Sequence, residues 1–322
     1  MRAWLARWCV ALALGAGCGA PSEVVAPPPP SPASVLILGH RGARGHAPEN
    51  TLEGFREAFR IGVDGIELDV VTTADGVLVV HHDAALNVDL ARLDGAPIEA
   101  PIPIGELTLA ELARYEVGRA REGSAYAARF PEQRPIEGAR VPTLDAVLRM
   151  ITELSDDARI NVELKLTPSD ADADVERTVT ETLRLLEERG AISRVILSCF
   201  DFRALVIARR LAPDLETSCL TERLSDDPSW HAGRVTADHG SLPRVVAHVG
   251  CASWAPDHES LARAQVDEAH ALGLRVVVWT VNEPSDLERV LDLGIDAIIT
   301  DYPDRARTVL TERAMAVPRR YP

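Results

Sequence analysis

Two periods of apolar and polar residues alternate along the chain. Short β-branched runs are followed by stretches whose apolar positions recur three and four residues apart. Eight runs read as strands: VLILG (35–39), GIELDV (65–70), RINVELKL (159–166), RVILS (194–198), TSCL (217–220), VVAHV (245–249), RVVVWT (275–280) and AIIT (297–300). Helical patterns lie between most of them. NTLEGFREAFRIG reads as a helix capped by Asn50/Thr51 and stopped at Gly62. TLDAVLRMITEL carries a stripe of Leu144, Val147, Leu148, Ile151 and Leu154. SDLE at Ser285–Glu288 reads as a capping box in the next-to-last helix. Eight strands in a strand–helix rhythm predict an α/β fold, a (β/α)8 TIM barrel. A doubly wound sheet is the alternative, but no glycine-rich phosphate fingerprint follows the first strand.

One segment breaks the rhythm. VTTADGVLVVHHD follows the second strand with no room for a crossover helix, and a parallel return needs a dozen or more residues. Asp75-Gly76 is a hairpin signal. Val77–His82 is therefore expected to run antiparallel outside the barrel wall, opening an insertion over about 71–141. Within it, TLAE at Thr108–Glu111 reads as a second capping box.

Composition narrows the picture. The chain has 322 residues, is 46% hydrophobic and carries a net charge of −15, so binding to a phosphate backbone is disfavoured and no nucleic-acid partner is expected. No feature points to a protein partner. The amino terminus has Arg2 and Arg7, an apolar run from Trp8 to Leu14, then small residues up to Cys18. This is the layout of an export signal, too short to span a bilayer. It is expected to comprise residues 1–17, with Cys18 lipidated as in a bacterial lipoprotein. A Pro-rich tether (18–34) follows, then the barrel (35–315) and a short tail (316–322). The protein is thus expected at the cell envelope, membrane-bound through a lipid and facing the periplasm if the host is Gram-negative. Cys199, Cys219 and Cys251 show no metal-like spacing and read as buried small apolar residues.

Barrel active sites form where strands end. The first strand ends in His40 and Arg41, the hairpin in His82 and Asp83, the seventh strand at Trp279. Glu67 and Asp69 are two apart on the second strand, as are Glu163 and Lys165 on the third. Ile66, Leu68 and Val70 must meet the helices, so Glu67 and Asp69 point inward. Three inward carboxylates need a counter-charge, and a hard divalent cation supplies one. Lys165, the single lysine of the chain, could neutralise only one of them. Two imidazoles can take and give a proton near neutral pH. Hairpin alternation turns His81 away from His82 and makes it structural or solvent-facing. His46 is ambiguous, and His231, His239, His248, His258 and His270 read as surface or helix residues.

GHRGARGHAPENT, GIELDVVTTADGVLVVHHD, VPTLDAVL, NVELKL, VVVWTVNEP and IITDYPD come in this order over Val35 to about Leu310. Together they resemble the glycerophosphodiester phosphodiesterase (GDPD) family. The resemblance implies a (β/α)8 barrel with an insertion after the second strand, and hydrolysis of glycerophosphodiesters to glycerol 3-phosphate and an alcohol. It implies that His40 and His82 are the acid–base pair and that Glu67, Asp69 and Glu163 ligate one divalent cation, Ca2+ or Mg2+. Arg41 and Lys165 would contact phosphate, Glu49 and Asn50 would belong to the rim, and Trp279 would line the alcohol pocket. The chain departs from the family at Ser198-Cys199-Phe200, where Ser-Ser-Phe is usual, and after His82-Asp83, where Arg-Thr-Gly is missing. Lysophospholipase D-like or cyclising action on lysolipids is the alternative activity. A non-catalytic surface lipoprotein that binds phosphorylated ligands is the alternative of another class.

Overall fold

The computed structural model describes residues 34–222 and 227–321. The segments expected to form an export signal and a tether, Cys18 among them, lie outside the described residues except for Ser34. Eight parallel strands close a barrel: β1 (Leu36–Gly39), β2 (Gly65–Thr72), β4 (Arg159–Leu164), β5 (Val195–Cys199), β6 (Glu216–Thr221), β7 (Ser253–Pro256), β8 (Arg275–Val278) and β9 (Ala297–Thr300). β1 pairs with both β9 and β2, which completes the ring. β3 (Leu78–Val80) lies outside the wall and pairs antiparallel with β2, Val70 opposite Val80, as the missing crossover and Asp75-Gly76 require. Gly76 takes φ 80°, the left-handed turn geometry.

The insertion runs from the hairpin to the helix at Leu144–Leu154. It holds two small sheets and its own apolar cluster, built on Val79, Leu86, Ile98, Ile104, Leu112 and Val117. The Thr108–Glu111 capping box is formed. The main core lies between barrel and helices, where Ile66, Leu68 and Val70 meet Phe55, Phe59, Val147 and Ile151. A smaller apolar cluster inside the barrel contains Leu38, Leu220, Val277 and Ile299.

Three sequence expectations are corrected. VVAHV is not a strand but the end of a helix, Leu242–Val249. Leu242, Val245, Val246 and Val249 are buried at helical spacing, Ser241 caps one end and Gly250, at φ 86°, closes the other. The β-branched run thus lost to its period, and the sixth barrel strand is the short SWAP segment that follows. SDLE forms no capping box: the N-cap of the helix Pro284–Asp292 is Glu283, two residues before Ser285, with Pro284 in the first turn and no side-chain cap bond from Glu283. Cys219 and Cys251 are not free apolar residues but a disulfide joining β6 to the loop before β7, while Cys199 stays buried and unpaired.

Candidate active site

The strand ends converge on a cavity of about 370 Å³ at the carboxyl face of the barrel. His40, Arg41, Glu67, His82, Glu163, Lys165 and Trp279 all line it. Register explains much of the assembly. Asp69 stands directly opposite Glu163 across the β2–β4 pair, with Lys165 two residues beyond. Ligand oxygens of Glu67, Asp69 and Glu163 lie within 4.8 Å of one another, and all three residues are buried.

Burial and mutual repulsion push the Glu67 carboxyl well above the usual range. Burial raises Glu163 as well, despite the Lys165 ammonium beside it. Asp69 is the exception. Burial opposes its charge, but Arg41 and Lys165 outweigh burial and hold it below the usual range. Asp69 Oδ1 is buried without a hydrogen-bond partner, and the Lys165 ammonium stands 3.5 Å away. Three hard oxygen donors with one orphaned atom fit a divalent cation of the Ca2+ or Mg2+ type.

The β1 end wraps tightly around this cluster. Arg41 takes φ 49°, outside the usual range for a side-chain-bearing residue, and its backbone N–H donates to Glu67 Oε2 at 2.9 Å. Gly42 next to it takes φ 92°, and a Cβ there would stand 2.7 Å from the Gly54 carbonyl. The Arg41 guanidinium donates to Glu49 at 2.9 Å and lies 3.3 Å from Asp69. Lys165 donates to Glu163 at 2.6 Å. Both cations are held by carboxylates.

Glu49 and Asn50 do not sit on the rim. Asn50 is 3% exposed and donates to Asp69 Oδ2 at 2.8 Å. Glu49 is enclosed by Arg41, Arg44 and the Tyr126 hydroxyl of the insertion. Burial opposes the Glu49 charge, but the two guanidinium groups pull its pKa down to about 2. Both residues brace the wall from behind.

Each cavity histidine rests on a carboxylate. His40 donates from Nδ1 to Asp301 Oδ1 at 2.7 Å, leaving Nε2 with its lone pair, 3.9 Å from Glu67. Burial, then the Arg44 charge, lowers His40 to about 4 against the opposing pull of Asp301, so the ring is neutral at pH 7. His82 Nδ1 pairs with Asp83 Oδ1 at 2.7 Å, and this bond lowers Asp83 to about 2. His81 is buried, not solvent-facing, and its Nδ1–H donates to the Asp83 carbonyl, which fixes the turn carrying His82. His46 bonds Asp304 outside the cavity. His231 and His258 are buried rather than on the surface, His231 stacked on Phe202 and His258 bonded to Arg289.

Asp301, Arg44 and Asn282 received no role from the sequence. Asp301 is fully buried and accepts from His40, from Arg44 Nε at 2.7 Å and Nη2 at 3.1 Å, and from Asn282 Nδ2 at 2.8 Å. It directly follows β9, so the rule that selects strand ends could have found it. Its partners lie 257 and 261 residues away and could not be read from spacing. Arg44 also spans the ring of Phe130, 4.6 Å from its centroid, and so ties the site to the insertion.

The profile of the Glycerophosphoryl diester phosphodiesterase family matches residues 40–305. A glycerophosphodiester phosphodiesterase of Caldanaerobacter subterraneus is 30% identical over 84% of this chain and 95% of its own. A second, of Bacillus altitudinis, is 30% identical over 86% and 98%. The crystal structure of a Silicibacter pomeroyi protein given the same enzyme name superimposes with a TM-score of 0.83 at 37% identity, covering 89% of this chain and 96% of that one. An Oleispira antarctica phosphodiesterase solved with sn-glycerol-3-phosphate shares the fold, with a TM-score of 0.66 at 23% identity over 86% and 96%. With matched residues running from His40 into the first turn of the last barrel helix, Pro303–Glu312, the chain belongs to the glycerophosphoryl diester phosphodiesterase family of enzymes.

Proposed function

We propose that the protein hydrolyses glycerophosphodiesters to glycerol 3-phosphate and an alcohol, with His40 as general base and His82 as general acid. The observation that carries this reading is a neutral imidazole, His40, buttressed by Asp301 and facing three clustered carboxylates in one cavity. Water attacks phosphorus and gives its proton to His40 Nε2. The bond from phosphorus to the alcohol oxygen breaks, and His82 protonates that oxygen. Arg41 and Lys165 hold the non-bridging oxygens and offset the charge that grows on them. Glu67, Asp69 and Glu163 would hold one divalent cation, Ca2+ or Mg2+, whose chemistry is Lewis-acid polarisation of the phosphate. Trp279 borders the space left for the alcohol.

The enzyme acts outside the cytoplasm in this reading, anchored by a lipid on Cys18. Two features support it: the export-like amino terminus and a disulfide between Cys219 and Cys251, a bond that persists in oxidising compartments. Cys18→Ser would abolish lipid labelling; a mature protein beginning after Cys18 and free of membrane would refute the anchor. For the activity, purified protein is assayed for glycerol 3-phosphate release from glycerophosphodiesters and for release of headgroup from lysolipids, with and without chelator. Chelation is expected to abolish release and Ca2+ or Mg2+ to restore it. Activity unchanged by chelator removes the cation from the mechanism, and action on lysolipids alone replaces the proposed substrate.

A further inference from the structure

A second cavity, of about 520 Å³, opens at the amino face of the barrel, opposite the catalytic end. Residues at the starts of β1, β7, β8 and β9 line it, joined by Arg209 and Ala247 from two of the outer helices. Among the described residues the two cavities share no lining side chain. They are successive levels of one barrel interior. Val277 and Ala297 line the lower cavity, and Trp279 and Ile299, two residues further along β8 and β9, line the upper. The sequence accounts for the space. Such a barrel is normally filled by layers of bulky branched side chains. At this end the inward positions of β7 and β9 hold Ser253 and Ala297, which are too small to fill it. What remains is an apolar chamber walled by Leu36, Leu38, Ile196, Leu274 and Val277. Its volume falls in the range of small-molecule sites, about 300–1,000 Å³.

The mouth carries an excess of positive charge, in a chain whose net charge is −15. Arg209 lies against Gly250, where a Cβ would come within 2.7 Å of the guanidinium. Arg209 is exposed, and among the described residues it has no hydrogen-bond or ion-pair partner. Arg275 pairs with Glu216, but Glu216 also serves Arg159, so two guanidiniums share one carboxylate. Asp296 is the single acid of the described lining, and the Val276 N–H and His270 already occupy it. Ser253 is 1% exposed, and its hydroxyl has no hydrogen-bond partner among the described residues. An unpaired guanidinium and an unsatisfied hydroxyl beside an apolar chamber match an anion with an apolar tail. A neutral hydrocarbon would leave both donors without partners. A cation would meet Arg209 and Arg275, and a sugar would lose its hydration against aliphatic walls.

We propose that the amino-face cavity binds a medium-chain fatty acid. Its carboxylate accepts from Arg209 and the Ser253 hydroxyl, and its alkyl tail lies against Leu38, Ile196 and Val277. The site goes beyond the diester-hydrolase reading and does not rest on it, since no side chain of the catalytic cavity takes part.

The test is calorimetric titration of the full protein with decanoate below its micelle concentration, beside octanoate and decyltrimethylammonium. One decanoate is expected per chain, with affinity rising about fourfold for each methylene added from octanoate. Decyltrimethylammonium should not bind. Arg209→Gln, at an exposed position, should weaken decanoate about tenfold by removing a charge-assisted bond. Ala247→Trp, at the half-buried mouth, should block the cavity and abolish binding, with circular dichroism and Tm reporting that the fold is kept. Failure of decanoate to bind overturns the inference and leaves this face to another segment of the chain or to a second copy. Equal binding of the cation, or an affinity unmoved by either variant, overturns it as well. Absence of diester turnover would refute the hydrolase reading and leave decanoate binding untouched.

Discussion

Asp301→Asn is the most informative single change at the site. The carboxylate is fully buried and accepts four hydrogen bonds, from His40, twice from Arg44 and from Asn282. Asparagine keeps the shape, but one oxygen becomes an amide that can only donate. Whichever way it turns, it faces a donor. The buried Arg44 guanidinium also loses its nearest counter-ion, leaving Glu49 at 3.5 Å. Removing one partner of a buried ion pair costs about 3–5 kcal/mol. For a domain of this size that is a fall in Tm of about 6–20 °C. The gap has a signed pH dependence. Burial works against the Asp301 charge, but His40 and Arg44 hold its pKa below the usual range. Its contribution is therefore complete above the ordinary carboxylate value and is lost as pH falls toward the depressed folded value. Wild type and variant should differ most above about pH 5 and converge on acidification. Catalysis should suffer separately, because His40 loses the partner that fixes its tautomer; a misplaced base costs about 10²–10⁴-fold in turnover. Arg44→Gln is the control, since it removes a buried charge yet leaves Asp301 on His40. The assay is kcat at 25 °C, where both variants are folded, together with Tm from pH 3 to 8. Wild-type turnover in Asp301→Asn would refute the positioning role. An equal loss of turnover in Arg44→Gln would assign the effect to the ion pair instead.

Glu163→Gln should raise the divalent-ion concentration needed for half-maximal rate, with partial rescue by excess ion. Lys165→Met should lower turnover without rescue and without a raised ion requirement, since it removes a cation from beside Glu163 and Asp69; full activity would make Lys165 only a partner of the carboxylates. His82→Ala should cost about 10²–10⁴-fold in turnover and be partly rescued by a nitrophenyl leaving group. His81→Ala should instead cost about 1–3 kcal/mol of stability, because it frees the Asp83 carbonyl; an equal loss of turnover would show that His81 does more than hold the turn. Reduction of the Cys219–Cys251 bond, which spans 32 residues of sequence, should lower stability by about 3–4 kcal/mol, read as a shift of the denaturation midpoint. A midpoint indifferent to reductant would show that the bond contributes nothing in solution.

The sequence by itself determined the barrel, the hairpin insertion and the inward set of Glu67, Asp69 and Glu163. Each is a consequence of local rules: side chains alternate along a strand, and a parallel return needs more chain than VTTADG provides. It also singled out His40 and His82, because strand ends are where barrel chemistry sits. It failed where local signals compete. VVAHV has β-branched composition but helical spacing, and its caps at Ser241 and Gly250 decided the outcome. Tertiary structure alone decided the long-range partners. Asp301 meets His40 because β1 and β9 close the ring, and Cys219 meets Cys251 because β6 and β7 are neighbours. It also moved Glu49 and Asn50 from the rim to the wall's rear face, where Arg41 and Asp69 need counterparts. Spacing along a chain reports which face of an element a residue occupies. Only closure of the barrel reports what that face meets.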